Sequence, residues 1–515
     1  MKDLDAARYM LGVDIGTTST KAVLYTETGT IVAEENNGYP LHTPTFLTAE
    51  EDPVEIFHAV LLSIGNVMRK SGIDAEALSF ISFSSAMHSV IAMNKVDEPI
   101  TKCITWADNR SRDWANKIKE ELDGHDIYLK TGTPIHPMSP FSKITWLEHD
   151  HPEIARETKK YIGIKEFVFQ RLFGEYVVDH SIASATGLMN LEKLEWEDSA
   201  LDVAGINADK LSRLVSTQEI FTGCASEYCK EMGISPKTKF VIGASDGVLS
   251  NIGVNAFRKG DIAVTIGTSG AIRTVIPKPH TDPKGRIFCY ALTEDHWVIG
   301  GPVNNGGIVF RWIRDELAAS EVETAKRLGI EAYDVLTRIA EKVEPGANGL
   351  LFHPYLAGER APLWNASSRG SFIGLTLNHK KEHMIRAALE GVIFNLYTVF
   401  LALVEVMDTP VSSIKATGGF AKSDVWRQMM ADIFDADVIV PESYESSCLG
   451  AVILGLYATR KVDSFEIVSD LVGGTNHHEP VDEHVAIYRE LIPIFIRISR
   501  ALQAEYENIA DFQTE

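Results

Sequence analysis

The stretch Tyr9–Lys21, YMLGVDIGTTSTK, is an apolar run that ends in Asp-Ile-Gly-Thr and continues into hydroxyl residues and a lysine. The same pattern returns about half the chain later at Asp261–Arg273, DIAVTIGTSGAIR. The glycine in each turn lets the backbone approach a ligand closely. A repeat at this spacing predicts two related lobes, each of which opens with a β-hairpin.

Strand-like and helix-like stretches alternate outside the two hairpins, which predicts an α/β protein. Leu78–Phe83, Phe240–Ile242 and Val438–Val440 are short apolar or β-branched runs that predict strands. Glu382–Glu405 has apolar residues at helical spacing and predicts a long buried helix.

We expect a first lobe at residues 8–246, a second lobe at 247–475 and a helical tail at 476–515. Within Pro480–Glu515, the predicted apolar face consists of Ile487, Leu491, Ile494 and Ile498. This face would either pack back on the body of the protein or form an oligomer contact. The sequence does not separate the two, and a homodimer is left open.

The composition excludes several classes of protein. The 515 residues are 45% hydrophobic and 23% charged, as in a globular protein of several domains. The net charge of −22 disfavours binding to nucleic acid or to an anionic membrane. Five scattered cysteines and a start without signal-peptide features predict a reduced, cytoplasmic protein. We expect no membrane span, because Glu390 and Glu405 close the most apolar run, Gly391–Val404.

The first hairpin offers backbone N–H groups, hydroxyl side chains and the cation of Lys21 at close range, and phosphate oxygens bind well to such a set. Asp14, at the end of the strand, is placed to hold Mg²⁺, partly through water. The alternative is a plain hairpin whose glycine and threonines only form the turn. The repeat of the motif at Gly267-Thr268 favours the phosphate interpretation.

Two further stretches suit a nucleotide or a reacting hydroxyl. Ile414–Phe420 ends a short strand in Gly-Gly before the helical stretch Ser423–Phe434, and GGPVNNGG at Gly300–Gly307 is a second glycine-rich loop. Either glycine pair could accept an adenine or ribose, or could be a simple turn. Asp246 follows a predicted strand and could act as a general base, or could cap the helix that follows.

Met87-His88 and Trp106–Arg110 place hydrogen-bonding groups beside an aromatic ring, a mixture that suits polyols. For His88 alone, the interpretation as a hydrogen-bonded core histidine is favoured over that as a ligand. Asp108 and Arg110 could equally be a helix cap and a surface ion pair.

These motifs together resemble the FGGY family of carbohydrate kinases along essentially the whole chain. The resemblance is carried, in family order, by DIGTTSTK, MSPFSKITW at 138–146, GASD at 243–246, TIGTSG at 265–270 and GLTLNHKKEHMIRAALEG at 374–391. It implies a duplicated, two-lobed actin-like (ribonuclease-H-like) α/β fold. The stretch that opens at Met138 departs from the family pattern after Glu148, and we do not expect that departure to affect the chemistry.

The resemblance also implies roles for individual residues. Asp246 would be the catalytic base and a contact of the sugar, and Asp14 would organise Mg²⁺. The remaining sugar contacts would be His88, Trp106, Asp108, Arg110 and Met138. The ATP contacts would be Thr17, Thr18, Ser19, Lys21, Gly267, Thr268, Gly307, Arg311, Gly419 and Ser423, of which Arg311 and Ser423 differ from the amides of glycerol kinases.

Within the family, segments such as SSAMHSVI at 84–91, CITWADNR at 103–110 and HPYLAGERAPLW at 353–364 resemble the gluconate kinases of Gram-positive bacteria. The implied reaction is transfer of the γ-phosphoryl group of ATP to the C6 hydroxyl of D-gluconate, which gives 6-phosphogluconate and ADP. A xylulose or other pentulose or polyol kinase is the alternative within the family, and an actin-like nucleotide switch is the alternative outside it.

A protein with a charge of −22 repels a sugar acid at long range, so its pocket needs its own cations. Arg110, Lys143, His88 and His136 are the candidates. We favour Arg110, because a guanidinium can bind a carboxylate through two parallel hydrogen bonds.

Overall fold

The structure is a computed structural model that describes residues 9–407, 409–441, 446–472 and 475–514. The predicted first residue of the first lobe, Arg8, and the last residue of the tail, Glu515, lie outside the described residues. The chain forms two compact units that interleave along the sequence. The first consists of Met1–Phe257, Val275–Val298 and Glu445–Gly473, and the second of Arg258–Thr274, Ile299–Tyr444 and Gly474–Glu515.

The first unit is built on a six-stranded mixed sheet. Its strands, in sheet order, are Ile220–Phe221, Lys239–Ser245, Leu78–Ser85, Tyr9–Ile15, Ser19–Thr26 and Ile31–Gly38. Tyr9–Ile15 and Ser19–Thr26 pair antiparallel and form the first hairpin, whereas Leu78–Ser85 is parallel to both Tyr9–Ile15 and Lys239–Ser245. Two of the predicted strands, at 78–83 and 240–242, are therefore confirmed.

Helices cover both faces of this sheet, and small two-stranded pairs surround it. The α-helices of the first unit are Pro53–Ser71, Arg112–Glu121, Gly124–Thr131, Pro140–Asp150, Pro152–Glu157, Ile164–Phe173, His180–Ser184, Asp198–Ala204, Ser226–Met232, Asp246–Gly253, Ser446–Ala458 and Val468–Leu471. The small pairs are Glu50–Glu51 with Cys103–Ile104, Ile91–Met93 with Lys160–Ile162, Val177–Asp179 with Arg213–Val215, and Met189–Asn190 with Glu195–Trp196. Phe288–Thr293 is a further strand of this unit.

Close packing explains why helix Ser446–Ala458, far along the chain, belongs to the first unit. A Cβ atom on Gly12 of the first hairpin would lie 2.4 Å from the carbonyl oxygen of Cys448, and one on Gly450 would lie 2.0 Å from that of Leu249. Only glycine permits such approach of two backbones. The helix is thereby held against the strand Tyr9–Ile15 and the helix Asp246–Gly253.

The second unit repeats the opening hairpin. Its principal strands, in sheet order, are His296–Val303, Gly270–Ile276, Asp261–Ile266, Ser413–Thr417, Val438–Pro441 and Thr475–His478. Asp261–Ile266 and Gly270–Ile276 pair antiparallel and form the second hairpin, and Ser413–Thr417 runs parallel to Asp261–Ile266. Leu351–His353 pairs with Ser371–Ile373. The predicted strand at 438–440 is confirmed.

The α-helices of the second unit are Gly307–Trp312, Ala319–Leu328, Ala332–Glu341, Lys381–Val406, Asp424–Phe434, Asp482–Ala501 and Gln503–Thr514. The predicted helix at 382–405 is confirmed as Lys381–Val406. Among the described residues, this is the one helix that is long and apolar enough to cross a membrane. However, 78% of its most apolar 18-residue stretch is buried inside the protein. Glu390 does not interrupt it, because Arg386 and Tyr488 neutralise and hydrogen-bond its buried carboxylate.

The tail packs back on the second unit, but the predicted face is only partly buried, with Leu491 and Ile498 half-buried. Ile487 and Ile494 are each 38% exposed, whereas Tyr488, Ile492 and Phe495 are buried. The apolar stripe is wide enough to allow a face shifted by one residue, and the tyrosine decides between the two. Its hydroxyl donates to Glu390 at 2.8 Å and accepts from Arg386 at 2.9 Å, so the buried ion pair fixes the rotation of the helix.

Candidate active site

The predicted catalytic carboxylates lie at one edge of the sheet of the first unit. Ile15, Ser85 and Ser245 are in register at the carboxyl ends of three adjacent parallel strands. Asp14 precedes the first of these residues, and Asp246 follows the last. Because neighbouring strands are spaced by about 4.8 Å, the two carboxylate-bearing strand ends are about 10 Å apart. This edge of a parallel sheet is where α/β proteins bind ligands.

Asp14 is held by the strand beside it. The Ser84 hydroxyl donates to Asp14 Oδ1 at 2.7 Å, and Lys21 is the partner of Asp14 across the first hairpin. Lys21 Nζ lies 3.6 Å from Glu34, and its side chain is 24% exposed. The sequence analysis did not identify Ser84 as a partner of Asp14. Its position after the apolar run Leu78–Phe83 was a signal that could have done so.

The turn of the first hairpin contacts one of the predicted sugar residues, Trp106, directly. Trp106 Nε1 donates to Thr17 Oγ1 at 3.0 Å. A residue predicted to bind the sugar thus contacts a residue predicted to bind phosphate. Thr17 and Ser19 are half-buried, whereas Thr18 is exposed. Tyr39 was not predicted as a site residue. Its hydroxyl donates to the Gly16 carbonyl oxygen at 2.5 Å and so stabilises the turn.

Asp108 and Arg110 form a half-buried ion pair. Asp108 is 1% exposed and accepts from the backbone N–H of Ala49 at 2.9 Å and from Arg110 Nε at 2.9 Å. Arg110 also pairs with Glu50, and its guanidinium lies 5.0 Å from the centre of the Trp146 ring. The surface ion pair that the sequence left open is therefore present, but it is buried on the aspartate side. The helix-cap alternative is wrong, since the next helix begins at Arg112 after Ser111.

His88 is buried and hydrogen-bonded. Its Nδ1 lies 2.8 Å from the carbonyl oxygen of Ala185, and the ring of Tyr290 packs edge-on at 5.9 Å. The backbone of His88 has a φ of 69°. A non-glycine residue in this region is strained and is held there by its surroundings.

Lys143 joins the segments that carry His88 and Met138. It is 0% exposed, and Nζ donates to Pro137 O at 3.0 Å, to Met138 O, and to His88 O at 3.4 Å. Burial lowers the pKa of Lys143 to about 7, and the charge of Asp108 opposes that shift. His136 is 8% exposed, and its Nδ1 accepts the Met138 N–H at 3.1 Å. Both of these candidate cations, Lys143 and His136, are therefore buried.

Asp246 is the first residue of helix Asp246–Gly253, and it is half-buried. Its Oδ1 accepts from the N–H of Gly247 at 2.6 Å. Ser245 occupies the N-cap position, so the interpretation of Asp246 as the cap residue is wrong. Among the residues that the structure describes, no group of three or more histidine, cysteine, aspartate or glutamate side chains could hold a metal ion.

The second unit places its predicted nucleotide residues around the second hairpin. Gly307 N donates to the Gly267 carbonyl at 2.7 Å, and the N–H of Ile308 donates to that of Thr268 at 3.0 Å. A Cβ atom on Gly307 would lie 2.7 Å from Gly267 O, whereas one on Gly419 would meet no atom within 4 Å. Gly307 is thus needed for packing, and Gly419 faces open space.

Arg311 and Ser423 differ from the rest of the predicted nucleotide set. Arg311 is exposed on the short helix Gly307–Trp312. Ser423 is the N-cap of helix Asp424–Phe434, where its hydroxyl accepts from the N–H of Trp426 at 3.3 Å. The Ser423 hydroxyl therefore has a structural partner already.

Glu359 organises the glycine-rich loop of the second unit, and sequence reasoning missed it. Its carboxylate is 0% exposed and accepts from Asn304 N at 2.6 Å, from Asn305 Nδ2 at 2.9 Å and from Asn395 Nδ2 at 2.8 Å. Burial raises the pKa of Glu359, and the hydrogen bonds from Asn305 and Asn304 oppose the shift. The paired asparagines of the GPVNNGG loop were the available signal.

Comparison with known proteins decides the family. The chain matches the FGGY family of carbohydrate kinases, with the N-terminal domain over residues 9–253 and the C-terminal domain over residues 262–459. The chain belongs to this family. It is therefore a carbohydrate kinase, a transferase that uses ATP as a substrate.

Two relatives in this FGGY family are similar over nearly their whole length. A gluconokinase of Bacillus licheniformis is 68% identical over 98% of both chains, and a gluconokinase of Bacillus subtilis is 66% identical over 98% of both chains. A xylulose kinase of Bacillus subtilis is 26% identical over 95% of this chain and 96% of its own.

The solved structures confirm the predicted two-lobed actin-like fold of the FGGY kinases. A crystal structure described as gluconate kinase from Lactobacillus acidophilus has a TM-score of 0.92 and 39% identity, and the match covers 98% of this chain and 100% of that chain. A structure described as ligand-bound xylulose kinase from the same organism gives the same TM-score, identity and coverage.

Proposed function

We propose that this protein is a gluconokinase that transfers the γ-phosphoryl group of ATP to the C6 hydroxyl of D-gluconate. The observation that carries the proposal is the identity of 68% and 66% to two gluconokinases across 98% of the chain. The products are 6-phosphogluconate and ADP. The first lobe, residues 8–246, binds sugar and phosphates, the second, 247–475, binds the nucleotide, and 476–515 form the helical tail.

Asp246 is the general base of the proposed reaction. Its position after the strand Lys239–Ser245, at the edge that also carries Asp14, supports this role. As the C6 oxygen attacks the γ-phosphorus in line, Asp246 accepts the hydroxyl proton and ADP leaves from the opposite side. Phosphoryl transfer asks the protein mainly for alignment and charge stabilisation, so no covalent intermediate with the enzyme is needed.

The residues around Asp14 fit a magnesium ion. Its half-buried carboxylate and the adjacent Ser84 hydroxyl offer oxygen ligands at the strand end, and Mg²⁺ prefers oxygen ligands and keeps several waters. When bound, Mg²⁺ neutralises charge on the phosphates. A site with one carboxylate suits this ion better than a site built from several protein ligands.

The hairpins and glycine loops supply the proposed ATP contacts. Thr17, Thr18, Ser19 and Lys21 belong to the first hairpin, and Gly267 and Thr268 to the second. Gly307, Arg311, Gly419 and Ser423 complete the set. The exposure of Arg311 and the open space beside Gly419 support contact with a ligand, whereas the capping bond of Ser423 leaves its hydroxyl a weaker candidate.

Arg110 is proposed to bind the carboxylate of gluconate, within the sugar site of His88, Trp106, Asp108, Met138 and Asp246. Asp108 and Glu50 already accept hydrogen bonds from Nε and Nη2 of Arg110. Within the described part of the chain, no acceptor is bonded to Nη1, which leaves two N–H groups for the substrate. The flanking carboxylates orient the guanidinium and reduce its net charge.

The deciding experiment measures ADP release by the purified protein with ATP and Mg²⁺ against D-gluconate, D-xylulose, L-ribulose, glycerol and D-glucose. We expect a strong preference for D-gluconate, with 6-phosphogluconate as the product by mass spectrometry. Phosphorylation at a position other than C6 would retain the kinase and refute the regiochemistry.

A pentulose kinase is the second candidate, because a structure described as xylulose kinase matches at a TM-score of 0.92. Preference for D-xylulose in the same assay would establish it. A nucleotide switch without sugar chemistry is not supported, since the chain belongs to a family of carbohydrate kinases.

The charge and the cysteines of the protein bear on its partners and its location. A net charge of −22 supports a protein that does not bind nucleic acid or an anionic membrane, and five buried free cysteines support a reduced, cytoplasmic location. A homodimer remains a prediction, and light scattering of the purified protein tests it.

A further inference from the structure

The strand that carries Asp246 is irregular just before its end. Gly243 has a φ of +72°, and a Cβ atom there would lie 1.7 Å from the carbonyl oxygen of Phe83. The register with the neighbouring strand shifts between Val241 and Ala244. A bulge of this kind re-aims the residues that follow it, and it also interrupts the ladder that would fix them.

A buried ion pair lies against the segment after this bulge. Lys165 Nζ lies 2.6 Å from Asp179 Oδ2 and donates to the carbonyl oxygen of Ala244 at 3.2 Å. The side chain of Lys165 is 2% exposed and that of Asp179 is 0% exposed. The pair therefore binds the backbone two residues before Asp246.

Asp179 extends this support through the next helix. Its Oδ1 accepts from the N–H of Ile182 at 3.0 Å and so caps helix His180–Ser184. On that helix, Ser181 Oγ accepts the Ser245 N–H at 3.2 Å and lies 3.2 Å from the Ser245 hydroxyl. One ion pair thus supports both residues that precede Asp246.

We propose that Lys165 and Asp179 are positioning residues that set the place of the Asp246 carboxylate for the transfer step. The inference rests on the proposed role of Asp246 as the base. Such a pair is a poor device for stability alone, because apolar residues of similar volume often replace a buried ion pair without loss of stability. A fixed base is what the chemistry requires, since small misplacements of a catalytic group greatly reduce the rate.

The test uses the double variant K165M/D179L, which removes both charges and leaves neither partner unpaired. We expect kcat to fall at least about 30-fold while KM for gluconate and for ATP stays within about threefold, because alignment of the base is lost and binding is not. The matched control is K210M/E148L, a pair of the same unit with the same N–O distance of 2.6 Å. Its kcat should stay within about twofold of wild type.

A kcat of K165M/D179L equal to that of the control would overturn the proposal, as would a rise in both KM values with kcat unchanged. If the double variant does not fold, S181A carries the test, since it removes only the contact with Ser245; it should lower kcat about threefold to tenfold at unchanged KM. Wild type and D246N are assayed in parallel. An active D246N would refute the proposed base itself, which is a different failure from an unaffected double variant.

Discussion

The two hairpins share the Ile-Gly-Thr turn sequence and differ in charge. In the first hairpin, Asp14 pairs across with Lys21 and lies beside Ser84 on the parallel strand, whose hydroxyl donates to it at 2.7 Å. In the second, Thr265 takes the place of Asp14. It lies beside Thr417, and the two hydroxyl oxygens are 3.0 Å apart.

Both units therefore have a side-chain hydrogen bond between the first strand of the hairpin and the parallel strand beside it. In the second unit, a hydroxyl takes the place of the carboxylate. The first hairpin also has the longer turn, because four residues separate Ile15 from its partner Thr20, whereas three separate Ile266 from Gly270. In the second hairpin, the carbonyl oxygens of Gly267 and Thr268 accept the N–H groups of Gly307 and Ile308. The first hairpin therefore carries a carboxylate and a lysine next to its turn, whereas the second presents hydroxyl and backbone groups at the matching positions.

The largest effect should come from removing the charge that distinguishes the hairpins. We expect D14N to lower kcat by at least about 100-fold, the scale seen when one electrostatic contact to a transition state is lost. T265V, the change at the matching position, should lower kcat by less than about threefold. Steady-state ADP release at saturating gluconate and ATP, over a range of Mg²⁺ concentrations, measures both.

Circular dichroism and thermal unfolding of the two variants provide the control for folding. An equal loss of activity in D14N and T265V would show that both positions serve the structure of the hairpins. The asymmetry of charge would then have no catalytic meaning.

Substitution of one arginine in each unit should affect different substrates, the sugar for Arg110 and ATP for Arg311. R110L is expected to lower kcat/KM for gluconate about 30-fold more than kcat/KM for D-xylulose, since a hydrogen bond to a charged group contributes about 1.5–3 kcal/mol. R311L should leave this ratio unchanged and raise only KM for ATP. Because both sugars are assayed on the same folded protein, the ratio is insensitive to lost stability. Equal losses for both sugars would remove Arg110 as the carboxylate ligand.

Residue patterns along single elements gave the most reliable predictions from sequence. The repeated Ile-Gly-Thr turns predicted both hairpins, and the apolar runs at 78–83, 240–242 and 438–440 predicted strands that the structure extends to 78–85, 239–245 and 438–441. The long helix at 381–406 followed from its apolar periodicity. These features depend on local residue pattern, which one sequence displays directly.

Contacts between distant residues could not be predicted in this way. The sequence shows Lys165 and Asp179 as two ordinary charges, and only the fold brings them together beneath Ser245. The tail illustrates the same limit. Periodicity predicted its helix, but the buried face depends on the bond between Tyr488 and Glu390, which are 98 residues apart.

Two glycines of the second unit, Gly307 and Gly419, should differ in how much stability is lost when each is replaced by alanine. G307A is expected to lower the free energy of unfolding by about 1–3 kcal/mol, because its Cβ would lie 2.7 Å from the Gly267 carbonyl oxygen. G419A has no atom within 4 Å of its added Cβ, so its stability should change by less than about 0.5 kcal/mol.

Urea unfolding measures the two stabilities, and KM for ATP gives the second readout. A rise of KM in G419A without loss of stability would place the nucleotide at the open glycine. A G307A variant as stable as wild type would refute the packing argument for the loop around the second hairpin.

Stability rather than activity should respond to the buried carboxyl group of Glu51. Glu51 is 4% exposed, and burial raises its pKa to about 8. Between its ordinary pKa near 4.5 and about 8, the native state binds more protons at this site than the unfolded state. The contribution of Glu51 to the free energy of unfolding therefore falls as pH rises through this window, by at most about 1.4 kcal/mol per pH unit.

E51Q removes this titration, so it should be close to wild type in stability at pH 5 and more stable than wild type at pH 8 to 9. Urea unfolding of both proteins across this range gives a difference curve in which the other groups cancel. E55Q, at an exposed glutamate of the same stretch, is the control for the loss of one surface carboxylate. A flat curve for E51Q would mean that Glu51 ionises in the native state as it does in water, and its burial would then carry no pH-dependent cost to stability.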